Sequence, residues 1–344
     1  MMTPLLALDS FKGCLTAPEA VDAAASALKG RDVCRMPLSD GGEGFSACLA
    51  ACLGGVFRTV PVQDPLGRPA EARYALLEGG RIAVIETAAA SGLTLLKPAE
   101  RDPLIASSFG TGQLIQDAIN QGVEEIWIGL GGTAVMDCGA GLLQALAPLP
   151  GGIRFHAFFD ADVPLTGPAG APAVFGPQKG ADKEGVAELE RRFCRQAEAW
   201  KAQYGIDPDQ IPGAGAAGGI GAALAIGLGA EMHAGIDAVL TFVHFAERVR
   251  ECGLVITGEG KADRQTLTGK VPFGVLKATR RYAPGIPVVL LAGQVEDRHE
   301  LLAAGFDAVI QVTPEDSLTD NYLEKSFARE YIRRAVQDLV YFRD

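Results

Sequence analysis

Short apolar runs alternate with amphipathic stretches at both ends of the chain. The run Leu5–Leu8 predicts a buried first strand, and Thr16 followed by Glu19 is a capping-box signature for a helix after it. Beyond residue 250, the run Leu254–Ile256 predicts another buried strand, and a final helix is expected to run to about residue 341. Such alternation of strand and helix is typical of a doubly wound parallel sheet.

The pattern changes near residue 60. Three β-type runs, Val56–Val62, Ala72–Leu77 and Arg81–Glu86, are separated by short turn sequences, which predicts an antiparallel meander. We therefore predict an α/β fold: a doubly wound, Rossmann-like parallel-sheet domain with a second α/β domain, containing a mixed sheet, inserted in it. The predicted boundaries are residues 1–60 with 250–344 for the first domain and 61–249 for the inserted one.

Three further stretches carry structural expectations. Asp32–Met36 predicts a second strand of the first domain. The twenty residues Ile211–Ala230 carry no charge, but they are rich in glycine and alanine and have Pro212 near their start. We therefore predict a buried, tightly packed helix there rather than a membrane span. For the final helix, Thr319 or Asp320 is the predicted cap.

Composition and charge narrow the class of protein. With 344 residues, 48% of them hydrophobic and 21% charged, the chain is an ordinary globular protein long enough for two domains. Its net charge of −11 argues against nucleic acid or an anionic membrane as a partner. Seven cysteines without a Cys-x-x-Cys pair predict a reduced, cytoplasmic protein. The histidines are scattered along the sequence, which argues against a histidine metal site; they are His156, His233, His244 and His299.

Charged residues and glycines are concentrated directly after the predicted strand Leu254–Ile256. Gly258 and Gly260 flank Glu259, so the backbone is predicted to turn there and to approach a ligand closely at the carboxyl end of the strand. A solvated loop is the alternative. Because function collects on loops held by a rigid scaffold, we predict a ligand site. The charged residues of this stretch are Glu259, Lys261, Asp263, Arg264 and Lys270.

A glycine-rich loop with two acids precedes a predicted helix at Phe45–Leu53. Its carboxylates, Asp40 and Glu43, could simply cap that helix. Alternatively, Gly41 and Gly42 expose the helix amides to a bound anion, while Asp40 faces a cleft. The residue pattern leaves both readings open.

Two later strand ends also carry acids. The predicted strand Glu125–Leu130 leads into Gly131–Gly139, a glycine loop with one buried-looking acid, Asp137. A further predicted strand ends in Asp160 and Asp162, whose carboxylates could bind a cation or form an Asx-turn.

Several nucleotide and nucleophile motifs can be set aside. Gly213–Gly218 matches the dinucleotide fingerprint, but that fingerprint requires a preceding strand, and the polar, turn-like Gly205–Gln210 precedes it here. The sequence contains no P-loop, no Gly-x-Ser-x-Gly elbow and no Cys/His pairing. What remains is a set of glycine-rich strand ends with acids and lysines, which phosphoryl transfer requires.

Taken together, six motifs resemble the bacterial glycerate kinase family of type 1, in that family's order and over nearly the whole chain. They are Asp9–Gly13, Asp40–Gly44, Gly129–Ala134, Phe175–Gly180, Gly213–Gly219 and Thr257–Asp263. The resemblance implies an ATP- and Mg²⁺-dependent kinase that acts on D-glycerate and forms 2-phosphoglycerate, with one α/β domain inserted in another. Two departures are a short connection at Pro148–Gly152 and Val163, where the family usually has asparagine.

We expect the γ-phosphoryl group of ATP to pass to a glycerate hydroxyl in a cleft between the two domains. Lys12 and Lys270 are predicted to hold phosphate or the substrate carboxylate. Glu259 and Asp263 are predicted to bind Mg²⁺ or supply the base, and Asp40 and Asp137 to line opposite sides. The catalytic candidates are Lys12, Asp40, Asp137 and Asp263. The candidates for nucleotide or substrate binding are Asp9, Ser10, Gly41, Gly42, Glu43, Gly131, Gly132, Thr133, Gly258, Glu259, Lys261 and Lys270.

Two other functions are considered. An NAD-dependent dehydrogenase of a small hydroxy acid would need a strand before Gly213. A non-catalytic sugar-acid-binding module would need a DNA-binding or partner segment, and the sequence contains no basic helix-turn-helix candidate.

Overall fold

The computed structural model describes residues 3–148, 151–314 and 324–341. Contacts between Cα atoms divide the chain into two compact units. Unit 1 comprises Met1–Asp40, Ala47–Leu53 and Ile236–Asp344, and unit 2 comprises Gly41–Ser46 and Gly54–Gly235.

The regular elements alternate along most of the chain. Within the described residues, the strands are β1 (Thr3–Leu8), β2 (Cys34–Arg35), β3 (Val56–Gln63), β4 (Pro69–Leu77), β5 (Ile82–Glu86), β6 (Glu125–Leu130), β7 (Arg154–Phe159), β8 (Glu231–Ala234), β9 (Cys252–Ala262), β10 (Val288–Val295) and β11 (Ala308–Gln311). The α-helices of the same residues are α1 (Ala17–Ser26), α2 (Phe45–Leu53), α3 (Ala88–Ser91), α4 (Phe109–Asn120), α5 (Ala140–Ala145), α6 (Ala171–Phe175), α7 (Lys183–Tyr204), α8 (Ala216–Ala222), α9 (Gly235–Phe242), α10 (Phe245–Arg250), α11 (Val271–Tyr282), α12 (Arg298–Ala303) and α13 (Lys325–Tyr341).

Unit 1 contains a five-stranded parallel sheet in the order β11–β10–β9–β1–β2. This is the flavodoxin-like doubly wound order, in which the strand sequence reverses between β1 and β9. Helices α1 and α13 pack on one face, in a core with Leu6, Ile256 and Leu291. The predicted doubly wound sheet is confirmed, although β2 is only Cys34–Arg35 rather than Asp32–Met36.

Unit 2 contains a six-stranded mixed sheet in the order β3–β4–β5–β6–β7–β8. Strands β3, β4 and β5 form the predicted antiparallel meander, whereas β5 to β8 are parallel to one another. One face of the parallel part buries alternate residues such as Ile126, Ile128 and Phe155 in the core. This alternation is the two-residue period of a strand, and the predicted mixed sheet is confirmed.

The end of β9 differs from the prediction. The strand does not turn at Gly258 but continues to Ala262 and pairs with β10, where Glu259 lies opposite Ala292. A Cβ atom on Gly258 would lie 2.3 Å from the carbonyl oxygen of Leu291. Glycine is therefore needed here because two backbones approach closely, and not because the chain turns.

The stretch Ile211–Ala230, predicted as a buried and tightly packed helix, is largely buried but only partly helical. An α-helix at Ala216–Ala222 is followed by a π-helical turn at Ala223–Gly227, and three consecutive residues beginning at Ala217 have left-handed dihedral angles. A Cβ atom on Gly218 would lie 2.0 Å from the carbonyl oxygen of Val135, so glycine permits a close backbone approach. Among the described residues, no helix is both long enough and apolar enough to cross a membrane.

Helix α1 begins as predicted. The Glu19 amide donates to Thr16 Oγ1 at 3.4 Å, and the Thr16 amide donates to the Glu19 carboxylate at 3.0 Å. Lys325 and Arg329 of α13 each lie 2.9 Å from the same carboxylate, which ties α13 to the start of α1. The predicted cap of the last helix, Thr319 or Asp320, lies outside the described residues.

Candidate functional site

The reversal of strand order brings Asp9 and Glu259 to the same edge of the unit 1 sheet. Leu8 and Gly258 are partners in the parallel pairing of β1 with β9, and the Asp9 amide donates to the Gly258 carbonyl oxygen at 2.9 Å. Glu259 follows immediately. Open α/β sheets bind their ligands at this place, beyond the carboxyl ends of the strands that flank the reversal.

Asp40 and Lys12 lie in segments that leave the same edge. The Leu38 amide donates to the Leu8 carbonyl oxygen at 2.9 Å, so the chain after β2 runs beside the end of β1 and delivers Asp40 there. Lys12 is exposed in the loop after β1. A Cβ atom on Gly260 would lie 3.0 Å from the Lys12 amide nitrogen, so this glycine lets the loop lie against β9.

The electrostatics of Asp9 reflect these neighbours. Loss of solvent raises the pKa of Asp9 to about 7, and the negative charges of Asp40 and Glu259 add to the increase. The Ser10 amide, 2.6 Å from Asp9 Oδ1, and the charge of Lys12 act in the opposite direction. Acids whose pKa is raised by burial and by neighbouring negative charges are more frequent at functional sites than elsewhere.

Glu259 is buried, with 6% of its surface exposed. Its Oε1 accepts a hydrogen bond from Thr266 Oγ1 at 2.6 Å, and its Oε2 lies 3.5 Å from Lys270 Nζ. Loss of solvent raises the pKa of Glu259, while the Thr266 hydroxyl and the Lys270 ammonium oppose the increase. The contacts fix the orientation of this carboxylate.

Asp263 and Lys261 also lie at the end of β9, but their side chains have structural partners. Asp263 caps the 3₁₀-helix Arg264–Thr268, and its Oδ1 accepts from the Gln265 amide at 2.8 Å. Lys261 Nζ lies 2.9 Å from the Glu296 carboxylate and 3.9 Å from Asp263 Oδ2. The structure therefore gives Asp263 a capping role and places Lys261 in a partly exposed ion pair.

In unit 2, the glycine-rich segment Gly41–Ser46 binds an internal carboxylate. The amides of Gly44 and Ser46 donate to Glu86 at 3.1 and 2.8 Å, and Ser46 Oγ donates to it at 2.6 Å. Amides at a helix amino terminus attract an anion, and for these two amides the anion is Glu86. The predicted binding of a ligand by Gly41, Gly42 and Glu43 stays a prediction. Glu43 is exposed in the same segment.

Glu86 could not have been identified from the sequence. It is the last residue of β5, and a single acid at a strand end carries no distinguishing pattern. Its partners lie 40 and 42 residues earlier in the chain. Only the assembled sheet brings the carboxylate to them.

The loop Gly131–Ala134 follows β6 in unit 2 and is held by backbone hydrogen bonds. The Leu93 amide donates to the Gly132 carbonyl oxygen, and the Ala134 amide to the Ser91 carbonyl oxygen, both at 2.8 Å. Gly132 has a left-handed φ of 65°, which favours glycine at this position. The loop therefore has a defined shape, with the side chain of Thr133 buried.

Lys179 lies buried against this loop, with 3% of its surface exposed. Its Nζ donates to Thr133 Oγ1 at 3.0 Å and to the Val135 carbonyl oxygen at 2.9 Å. Loss of solvent lowers the pKa of Lys179 to about 7, and the charge of Asp137 opposes the decrease. The sequence analysis named Lys179 only within a motif, because its burial depends on tertiary packing.

Asp137 ties together the starts of two helices. Its carboxylate accepts from the amide and the hydroxyl of Ser108 at 2.8 Å each, and from the amides of Gly139 and Gly141 at 3.1 Å each. Four hydrogen bonds give this side chain a positioning role at α4 and α5. Its predicted contact with a ligand stays a prediction.

The glycine run at Gly213 lacks the context of a dinucleotide site. Among the described residues, the element directly before this run is the 3₁₀-helix Pro208–Gln210, and not a strand. The Gly213 amide donates to Asp162 Oδ1 at 3.0 Å. Asp162 thus holds the glycine run, which is a structural role.

Comparisons with known proteins point to one family. A family model described as the glycerate kinase family matches residues 4–149 and 147–342. A glycerate kinase of Halalkalibacterium halodurans is 37% identical and the match covers 94% of both chains. A glycerate 2-kinase of Escherichia coli is 37% identical over 90% of both chains. A crystal structure from Salmonella typhimurium LT2, assigned as a candidate glycerate kinase 2, has a TM-score of 0.85 at 36% identity and covers 99% of this chain and 98% of that one.

Proposed function

Because the chain belongs to the glycerate kinase family, we propose that it transfers the γ-phosphoryl group of ATP to D-glycerate and forms 2-phosphoglycerate. The observation that carries this proposal is the convergence of Asp9, Asp40 and Glu259, with Lys12 and Lys270, at the strand-order reversal of unit 1. Phosphoryl transfer depends mainly on positioning and electrostatic stabilisation, and carboxylates with lysines supply both.

Mg²⁺ is the cofactor that this chemistry requires, and Asp9 with Glu259 fits it. Carboxylate oxygens are the ligands that Mg²⁺ prefers, and both acids are poorly solvated beside other negative charges. Glu259 and Asp263 each have one carboxylate oxygen hydrogen-bonded, to Thr266 Oγ1 and to the Gln265 amide, so Asp263 stays a predicted ligand beside Glu259. When bound, Mg²⁺ neutralises charge on the phosphates and orients them.

Asp40 is assigned the acid–base role. It is half-buried, and its negative charge acts on Asp9 at the edge of the sheet. Its carboxylate would accept the proton of the attacking glycerate hydroxyl. This assignment chooses between the two acids that the sequence left open.

The lysines of unit 1 are assigned to anionic groups. Lys12 is exposed and free to follow a phosphate or a substrate carboxylate. Lys270 stands at the N-cap position of α11, where the helix amides also favour an anion. Charge-assisted hydrogen bonds from ammonium groups are among the stronger polar contacts in proteins.

Unit 2 contributes the loop Gly131–Ala134. Lys179 donates to Thr133 Oγ1, so the Thr133 hydroxyl is left to donate its own proton to another acceptor. We assign this hydroxyl, with the neighbouring glycine amides, to an anionic part of a ligand. The predicted location of the reaction between the two domains stays a prediction. We also propose a cytoplasmic location, because an odd number of cysteines without a Cys-x-x-Cys pair is typical of a protein in a reducing compartment.

Coupled measurement of ADP release tests the function. D-Glycerate with ATP and Mg²⁺ should give sustained ADP release and a phosphorus NMR signal of 2-phosphoglycerate, whereas chelation with EDTA should abolish both. L-Glycerate, D-lactate and glycolate serve as control substrates. Absence of ADP release with D-glycerate would overturn the proposal, and NAD reduction with a hydroxy acid would favour the dehydrogenase alternative.

A further inference from the structure

Two histidines that are far apart in sequence meet on one face of the unit 2 sheet. His156 lies on β7 and His233 on β8, 77 residues later, yet His156 Nδ1 is 3.0 Å from His233 Nε2. The parallel register pairs His156 with Glu231 and Phe158 with His233, so all four side chains share one face. The scatter of the histidines along the sequence argued against a histidine metal site, but strand register brings this pair together.

The exposed Glu231 completes a triangle of ligand atoms. Its Oε2 lies 3.4 Å from His156 Nδ1 and 3.8 Å from His233 Nε2. A tetrahedral zinc ion with bonds of about 2.0–2.1 Å has ligand atoms roughly 3.3 Å apart. The three separations of 3.0, 3.4 and 3.8 Å bracket that spacing, so small side-chain rotations suffice to enclose an ion.

A second carboxylate lies near the other ring nitrogen of His156. Glu125 Oε2 lies 3.7 Å from His156 Nε2, on the opposite side of the ring from Glu231. Glu125 is itself held by Trp127 Nε1 at 3.0 Å and by Arg154. Metal-binding histidines regularly direct their other ring nitrogen toward a carboxylate, which leaves the ligating nitrogen deprotonated.

Packing fixes the plane of the second histidine. His233 stacks on Phe158, with ring centroids 4.9 Å apart. An imidazole held in one plane is a ready metal ligand.

We propose that His156, His233 and Glu231 bind one divalent transition-metal ion of the zinc class. Two imidazoles and one carboxylate suit Zn²⁺ and its neighbours, whereas Mg²⁺ prefers an all-oxygen set. Glu231 has 71% of its side chain exposed, so the ion can enter from solvent and keep a water as its fourth ligand. The site is independent of the kinase assignment.

The ion would join the last two strands of the unit 2 sheet. Strand β8 has four residues and lies at the sheet edge, where it pairs only with β7 among the described strands. Ligands from both strands would hold β8 in register, since any ligand that binds only the folded state stabilises it. We therefore expect metal to raise the melting temperature.

Cobalt titration of the tag-free, metal-stripped full-length protein tests the site. Co²⁺ added in the presence of excess Mg²⁺ should give the visible absorption of a four-coordinate ion, saturating at one ion per chain, and Zn²⁺ should displace it. His156→Gln and His233→Gln should each weaken binding by at least tenfold. His299→Gln, which changes an exposed histidine elsewhere, should bind as the parent does.

Glu231→Gln keeps the test valid if the histidine variants misfold. The Glu231 side chain is exposed, so its replacement should not disturb the packing of the core. It should weaken Co²⁺ binding and remove the metal-dependent rise in melting temperature. Cys34→Ser controls for thiolate binding and should leave the spectrum unchanged. Binding that survives in a His156→Gln/His233→Gln double variant with a native circular dichroism spectrum would overturn the proposal, as would the absence of stoichiometric binding in the parent.

Discussion

At the scale of single residues, Asp9 and Glu259 of unit 1 lie in places that do not favour their charge. Asp9 loses solvent and lies near two other carboxylates, and Glu259 is buried with one lysine 3.5 Å away. Unfavourable local arrangements of this kind persist where function maintains them.

Replacing Asp9 by Asn should therefore stabilise the ligand-free protein while reducing activity. The folded pKa of about 7 lies above the unfolded value of about 3.9, so ionisation of Asp9 removes stability as pH rises from about 4 to 7. We expect a gain on the order of 1 kcal/mol in the free energy of unfolding at pH 8 and a smaller gain at pH 5. Urea denaturation at both pH values, with kcat/KM, provides the measurement.

Asp22→Asn is a suitable control for Asp9→Asn. Asp22 is exposed on α1 and pairs with Arg35, so its replacement should change the free energy of unfolding by less than about 0.5 kcal/mol. A less stable Asp9→Asn protein at pH 8 would show that Asp9 has a structural role instead.

Lys179 differs from Asp9, because its buried amine stabilises the surrounding structure through hydrogen bonds. Lys179→Met should leave the Val135 carbonyl and the Thr133 hydroxyl without their donor, at a cost of about 1–3 kcal/mol in the free energy of unfolding. It should also raise KM more than it lowers kcat, because Thr133 loses its orientation. Lys183→Met, at an exposed position of α7, is the control; equal values for the two variants would contradict the positioning role.

At the scale of elements, the sequence predicts those whose signals are local. The capping box of α1 and the meander of β3, β4 and β5 follow from neighbouring residues, and both are confirmed. The errors concern glycine. At Gly258 and Gly218 it serves a close backbone approach, which the sequence cannot distinguish from a turn because the approaching strand or loop is distant in the chain.

The start of α2 illustrates an element stabilised by a distant acid. Glu86→Gln should weaken the charge-assisted contacts with the Gly44 and Ser46 amides and lower the free energy of unfolding by about 1–2 kcal/mol. Glu71→Gln, at an exposed position of β4, should have almost no effect. Chemical denaturation at neutral pH compares them, and equal stability of the two variants would contradict the capping role.

The contact between α1 and α13 should depend on pH. The Thr16 amide, with help from Lys325, lowers the pKa of Glu19 to about 2, so its stabilising contribution is complete above the unfolded pKa of about 4.3 and is lost as pH falls toward 2. Glu19→Gln should therefore be less stable than the parent by about 1 kcal/mol at pH 7, and this difference should shrink at pH 3. An unchanged difference, measured by urea denaturation, would rule out the ionic contribution.

At the scale of the whole molecule, the order of the strands in the sheet brings together residues that are far apart in the sequence. Asp9 and Glu259 are separated by most of the chain, and they become neighbours because the strand order reverses between β1 and β9. Asp9 follows the end of β1 as predicted, whereas Glu259 lies inside β9 and not after its end. Their closeness could be predicted from two strands of one parallel sheet, and their role in binding a ligand stays a prediction. The sequence could not predict the roles of three other features, because those roles depend on burial and on strand register. They are Glu86, Lys179 and the pair His156 and His233.

The turnover number of Asp40→Asn with D-glycerate, ATP and Mg²⁺ tests the central claim most directly. If Asp40 accepts the hydroxyl proton at the edge of the unit 1 sheet, the kcat of Asp40→Asn should fall at least a hundredfold, with little change in the KM for ATP. The kcat of Asp263→Asn, which changes a helix-capping residue, should fall by less than about tenfold. A near-parental kcat for Asp40→Asn, or an equal loss in both variants, would contradict the account.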